Sequence, residues 1–282
     1  MKRTGALIDE IVFPNNKSKA FTLSYDDGIV HDRRLVEIMN RWGIRGTFNL
    51  NSGFFGLVDN NGPFDFSRIN EDEVKELYKG HEIAGHGLNH ASPTLVGNSA
   101  FMYETIEDKA NLERIAGKLV RGYAYPFGHY DASTKEILRN AGYHFARTVE
   151  VTHAFALPTD FLEWNATCHH NDARLMELAE DFCKSDLRNM NKQLFYVWGH
   201  SYEFEGENNW EVIENLCQYM HDHGEDVWFA TNIEIYDYVT AYRNLEYSAE
   251  GNMIYNPGGI EVNIKRGGKI YKLSPLTTVT ID

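Results

Sequence analysis

The stretch Ala20-Phe21-Thr22-Leu23-Ser24-Tyr25-Asp26-Asp27-Gly28, continued by His31 to Trp42 and then Arg45 to Leu50, decides how the whole chain is read. Ala20–Tyr25 is a short run of strand length that ends on two acids and a glycine. Leu35, Ile38, Met39 and Trp42 recur at helical spacing, and Gly43 stops that helix. Arg45–Leu50 reads as a second strand. Further along, Asn70 and Glu73 form a capping-box pattern ahead of a helix over Glu71–Lys79. His81–Ala84, Gly122–Tyr125, Tyr143–Val149, Leu194–Trp198 and Val227–Ala230 read as strands. Ser99–Ala116, Ala132–Asn140, Ala173–Cys183 and Trp210–His223 read as helices. Repeated strand–helix alternation calls for a parallel sheet with helices outside it, and over about 240 residues a barrel is the expected closure.

After Asn244 the texture changes. Gly251, Pro257, Gly258, Gly259, Gly267 and Gly268 punctuate alternating runs such as Ile260–Ile264 and Thr277–Ile281, the pattern of antiparallel strands and hairpins. The expected division is a barrel domain over residues 1–244 and a small antiparallel β appendage packed on it over residues 245–282.

The 282 residues carry 27 Lys and Arg against 41 Asp and Glu, a formal charge of −14. That excess argues against a nucleic-acid clamp, which needs clustered cations to displace counterions. With 43% hydrophobic and 24% charged residues, the chain has the balance of a packed globular protein. Cys168, Cys183 and Cys217 are odd in number and include no CxxC pair, so reduced thiols are expected rather than a disulfide framework or a cysteine zinc cluster. The start, MKRTGALIDEIVF, has no apolar run of signal-peptide length. No stretch approaches the roughly 20 apolar residues of a membrane span. The expected location is cytoplasmic, with no membrane partner, and the oligomeric state is open.

In such a fold the loops after the strands hold the active site. Three of them carry suggestive residues. Asp26 and Asp27 end the first strand, where buried acids are costly without a cationic partner, although Asp and Gly are also ordinary turn residues. His86 and His90 are four apart and can meet one ion if a helix or turn brings them together. His81 lies before its strand, at the far end, and is set aside. His200 follows the strand Leu194–Val197, and imidazole titrates near working pH, which suits a general acid. Each signal is weak alone. Their conjunction after separate strands, in that order, is not.

The segments TLSYDDG, HGLNH, AYPFG and WGHSYE resemble successive motifs of the polysaccharide deacetylases with the NodB-homology domain (carbohydrate esterase family four), over roughly Ala20 to Tyr238. The resemblance implies an irregular (β/α) barrel and a metal-dependent hydrolase, zinc being the foremost ion, that removes N- or O-linked acetyl groups from a carbohydrate by attack of a metal-bound water. It implies Asp27, His86 and His90 as metal ligands, Asp26 as general base and His200 as general acid. It also implies the backbone N–H of Phe127 as an oxyanion donor. Tyr125, Trp198 and Tyr202 are expected to line the cleft, and His169 and His170, near a loop after Cys168, are extra candidates for a fourth metal ligand. Two departures stand out. The family's third motif often begins with an Arg that orients the base, where this chain has Ala124, and Arg121 or Arg147 is left to substitute. The family's Asp that tunes the histidine acid has no clean match between Arg147 and Trp164. The rivals are a metal-free amide hydrolase of the allantoinase-like branch, which has no need of Asp27, His86 and His90 together, and a silent carbohydrate-binding protein, which has no need of Asp26 or His200.

Overall fold

The computed structural model describes residues 9–62, 64–185 and 193–281. The segment Met1–Ile8, read above for an export signal, lies outside the described residues. Chain order is β1 (Glu10–Val12), β2 (Lys19–Asp26), α1 (Asp32–Arg41), β3 (Gly46–Leu50), α2 (Val74–Leu77), β4 (Glu82–Gly85) and α3 (Asn98–Ala116). There follow β5 (Gly122–Ala124), α4 (Ala132–Asn140), β6 (Phe145–Val151), β7 (Trp164–Ala166), β8 (Cys168–His169) and α5 (Leu175–Lys184). Then come β9 (Leu194–His200), α6 (Ser201–Gly206), α7 (Glu211–His223), β10 (Val227–Phe229) and α8 (Asn232–Arg243).

The sheet runs β7-β6-β5-β4-β3-β2-β9-β8 and every pair in it is parallel. It is a nearly closed barrel with helices around it, and its closure is made by one short stretch. Residues 164–169 pair with β6 through β7 and with β9 through β8, while the Thr167 amide between them donates to Tyr196 O at 2.8 Å. Strand β2 is central, with all eight residues buried. One edge pairs with β9 from Ala20 to Asp26, and the other is shared by β10 at Lys19–Phe21 and β3 at Leu23–Asp26. Leu35, Val36, Ile38 and Met39 of α1 pack into the main core with Phe21, Leu23 and Phe48, as their spacing requires. Among the described residues no helix is long and apolar enough to cross a membrane.

The tail forms two three-stranded antiparallel sheets from β11 (Glu246–Tyr247), β12 (Met253–Asn256), β13 (Val262–Arg266), β14 (Lys269–Leu273) and β15 (Thr277–Thr280). One sheet is β11-β12-β15. The other is β1-β13-β14, so a strand from the start of the chain belongs to the tail's hydrogen bonding. Ile254, Val262, Ile264 and Leu273 are fully buried in a small core of their own beside Ala241 and Leu245. All three cysteines are free.

Candidate functional site

Because the barrel strands are parallel, the C-terminal ends of β2, β4, β5 and β9 share one rim. Asp26 ends β2, His86 follows β4, Tyr125–Phe127 follow β5 and His200 ends β9. In an extended strand, neighbouring side chains point to opposite faces. Asp27 escapes that alternation because its backbone is left-handed, with φ +83°, a conformation that costs a non-glycine residue of order 1–3 kcal/mol. Its amide donates to Asn49 O at 2.9 Å and its carbonyl accepts from Arg68 Nη1. Both carboxylates of the pair therefore reach the histidines.

Residues 86–90 form a turn rather than a helix, with Gly87 at φ +78° and His90 at φ +54°. Two acids one turn apart on α3 hold it from behind. Asp108 accepts from the amides of Ser52 and His86 at 2.8 and 3.1 Å. Glu104 accepts from the Asn89 amide and side chain at 2.7 and 2.8 Å. Asn51 Nδ2 donates to the carbonyls of His86 and Gly87. The His86 and His90 rings come to 4.6 Å between centroids.

Asp27, His86 and His90 each offer a ligand atom within 4.8 Å of the others. His90 Nε2 stands 3.8 Å from Asp27 Oδ1. His86 Nδ1 is 2.8 Å from the Ala124 carbonyl; the carbonyl can only accept, so the proton sits on Nδ1 and Nε2 keeps its lone pair. Burial pushes His86 below the ordinary imidazole range despite the nearby Asp26 and Asp27. Burial and the His86 ring together take His90 down to about 4. Two neutral imidazoles and a carboxylate, one imidazole oriented by a backbone carbonyl, are the donor set of a catalytic divalent metal site. These residues fit such an ion.

Asp26 is buried beside this set. Asn49 Nδ2 donates to its Oδ1 at 2.8 Å and Arg147 Nη2 to its Oδ2. Burial by itself would raise its pKa; the Arg147 guanidinium, with His86 and His200, outweighs that and holds it at about 2. Arg147 thus stands where the sequence left a gap at Ala124. The register explains how: Arg147 on β6 is the direct neighbour of Ala124 on β5, so its side chain reaches the same carboxylate from one strand over. Arg121 does not serve, being tied to Asp237 by two hydrogen bonds of 2.9 and 2.7 Å.

His200 Nε2 lies 3.9 Å from Asp26 Oδ2 and its Nδ1 lies 3.3 Å from Glu203 Oε2. Burial would lower this imidazole, but Glu203, Asp26 and Asp27 raise it overall. Glu203 is the carboxylate that sequence reasoning missed. Its signal was present in WGHSYE, three residues after the histidine, where a strand passes into a helix.

Three cleft-lining expectations divide. Tyr125 is fully buried, its hydroxyl donating to Leu162 O at 2.9 Å and its ring stacked on Tyr130; it is a core residue, because β5 turns its side chain behind the rim. Trp198 is also buried, with the Arg147 guanidinium 4.3 Å over its ring, so it backs the arginine rather than the cleft. Tyr202 is half-buried between Phe66 and His200 and stays at the rim. Phe127 has φ +59° and an exposed ring set against His90 at 4.5 Å. His81 lies at the opposite end, its Nδ1 accepting from the Gly46 amide.

Residues 14–146 match the model of the polysaccharide deacetylase family. Over that stretch, 133 of the 282 residues, the chain is similar to the family. The matched stretch contains Asp26, Asp27, His86, His90 and Phe127, and ends before Arg147 and His200. Among solved structures, a Mycobacterium smegmatis protein described as a polysaccharide deacetylase aligns over 85% of this chain and 95% of its own, at 17% identity and TM-score 0.59. The chitin deacetylase of the fungal pathogen Colletotrichum lindemuthianum aligns over 77% of this chain and 88% of its own, at 17% identity and TM-score 0.52. These are likenesses of fold. Against the Streptococcus pyogenes deacetylase PplD in complex with acetate, the alignment covers 45% of this chain and only about half of that one, 55%, at 19% identity and TM-score 0.40. No curated protein matches the chain.

Proposed function

We propose that the protein hydrolyses N- or O-linked acetyl groups on a carbohydrate, with Asp27, His86 and His90 holding a divalent ion, zinc foremost. A divalent ion bound there supplies Lewis acidity toward the acetyl carbonyl and acidifies a water. The protein's own groups do the rest. Asp26 accepts the proton of the attacking water, its two oxygens kept in place by Asn49 and Arg147. The Phe127 N–H is the proposed donor to the carbonyl oxygen as it gains charge. His200, raised in pKa, holds the proton that the departing amine or alcohol needs, and delivers it from Nε2.

The observation that carries this reading is the meeting of two proton-transfer candidates with a donor set of two neutral imidazoles and a carboxylate on one rim, drawn from three loops. It favours an ion-dependent hydrolase over a metal-free one, and an enzyme over a silent sugar binder. The test is a screen of acetylated xylo-oligosaccharides, chito-oligosaccharides and peptidoglycan fragments for acetate release, alongside metal content of the His86→Ala, His90→Ala double variant. Acetate release by the wild-type protein and loss of bound ion in the variant are expected. Stoichiometric metal at unchanged affinity in the variant rejects the ligand assignment.

A further inference from the structure

The carboxylate of Glu203 is the meeting point of three imidazoles. Its Oε2 lies 3.2 Å from His169 Nε2, 3.2 Å from His170 Nε2 and 3.3 Å from His200 Nδ1. The backbone amide of His200 donates to it at 3.0 Å. His169 ends β8, the strand that closes the barrel, His170 follows it in the next turn, and His200 ends β9; the carboxylate on α6 joins them.

His169, His170 and Glu203 also have the spacing of a metal site, so the direction of the protons decides between two readings. The Asn171 amide donates to His169 Nδ1 at 3.1 Å. That lone pair is used, so the proton of a neutral His169 sits on Nε2 and faces Glu203. His169 therefore presents a donor to the carboxylate, not a lone pair to an ion. His170 is fully buried, stacked between Phe204 at 4.0 Å and Tyr25 at 5.7 Å. It cannot back away, because Gly199 packs so closely on its ring that a Cβ there would stand 2.0 Å from Nδ1.

We propose that Glu203, flanked by His169 and His170, is the positioning residue for His200, its Oε2 set 3.3 Å from Nδ1 so that Nε2 faces the reacting group beside Asp26. The assignment rests on the deacetylase reading for its purpose, but not for its geometry. The groups facing His200 are Asp26 and Asp27 from β2 and its turn, Glu203 and Tyr202 from α6, and His169 from β8. Among them only Glu203 reaches Nδ1. An imidazole held by a carboxylate on one nitrogen keeps one tautomer when neutral and a stabilised imidazolium when charged, which an acid at the other nitrogen requires. Removing the carboxylate lowers the His200 pKa, so the acid form is lost at a lower pH.

The test is Glu203→Gln in the full-length, metal-bound protein, with the His200 ring followed by NMR across pH. The expected result is a lower His200 pKa and a mixed tautomer, with kcat down about 10–100-fold out of the roughly 10²–10⁴ a general acid contributes, KM little changed, and the high-pH limb of the rate profile moved down. Glu203→Asp recovers part of the loss, and His169→Asn moves the same ring signals in the same direction by less. These two variants serve equally if the glutamine variant does not fold. The NMR readout needs no substrate, so it stands even if no acetylated sugar is hydrolysed, an outcome that would count against the deacetylase reading alone. Unchanged His200 titration and rate profile in Glu203→Gln overturn the proposal. So does loss of one equivalent of Zn²⁺, titrated into chelator-stripped protein, in His169→Asn with the Asp27 set intact, since the cluster would then be a cation site.

Discussion

Asp26 and Asp27 are adjacent and of one residue type, yet their surroundings separate their work. Asp26 sits between Asn49 and the fully buried Arg147; Asp27 is turned by a left-handed backbone toward His90. Asp26→Asn is expected to fold, keep its metal and lose about 10²–10⁴-fold in turnover, the usual contribution of an acid–base group; near-full turnover with metal bound would place water activation elsewhere. Arg147 is the converse case. Removing it strands a buried carboxylate, and breaking such a pair costs about 3–5 kcal/mol, so Arg147→Met should lower the unfolding free energy measured in urea by that amount. The pH dependence follows from the depressed carboxyl. Asp26 titrates near 2 in the folded protein against roughly 3.9 in an unfolded chain. Its stabilising contribution is therefore complete above about pH 4 and is lost as pH falls through 2. Arg147→Met should shrink that acid-side loss, a comparison that acid titrations of both proteins followed by circular dichroism would make.

At the scale of elements, the histidine turn keeps its shape because α3 stands behind it. Glu104 and Asp108 spend their hydrogen bonds on the amides of Ser52, His86 and Asn89. They touch no ligand nitrogen, so they act by placing the turn. Groups that orient metal ligands typically cost about 10–100-fold in metal affinity when lost, and Glu104→Ala is expected to weaken Zn²⁺ binding within that range. Unchanged affinity in a zinc titration would mean that Asn51 and Asp108 hold the turn alone. Strand β9 supplies a second case. At Gly199 a methyl group meets the His170 ring at 2.0 Å, so the buried ring must leave its place between Phe204 and Tyr25. Gly199→Ala should lower the melting temperature and displace His170, read as a changed His170 ring signal in the NMR spectrum.

For the molecule as a whole, the question is how the tail relates to the barrel. We propose that residues 245–282 are an appendage packed on the barrel and needed for its stability. Strand β1 pairs with β13, Arg266 Nη2 donates to Asp9 Oδ2 at 2.7 Å, and the α8 residue Tyr238 accepts from the Asn263 amide at 2.9 Å. Ending the chain at Asn244 would leave β1 without its partner and uncover Ala241, while removing the buried Ile254, Val262, Ile264 and Leu273. Each such side chain is worth about 1.5–3 kcal/mol when buried, although the truncated chain no longer has those residues to expose. The expected outcome is a lower melting temperature and aggregation. An unaltered melting curve would make the tail an independent unit.

By itself, the sequence determined the barrel and the order of its parts, since apolar runs of strand length alternating with helical periodicity admit few other architectures. It also placed Asp26, Asp27, His86, His90 and His200 after strands, and parallel strands deliver such positions to one rim; the roles proposed for them come from the motif resemblance. Helix α8 was legible in principle from its capping box, Thr231 with Glu234. What only the tertiary structure decided involves partners distant along the chain or in adjoining strands. Arg147 fills the place of the missing arginine because of the β5–β6 register, which no local spacing encodes. Strands β7 and β8, three and two residues long, carry too little periodicity to be read, yet their switch of neighbours closes the ring. Burial separated Tyr125 and Trp198 from Tyr202, since an aromatic residue in sequence looks alike whether it faces core or cleft. The linking of His169, His170 and His200 through Glu203 joins three elements whose proximity exists only once the barrel has closed.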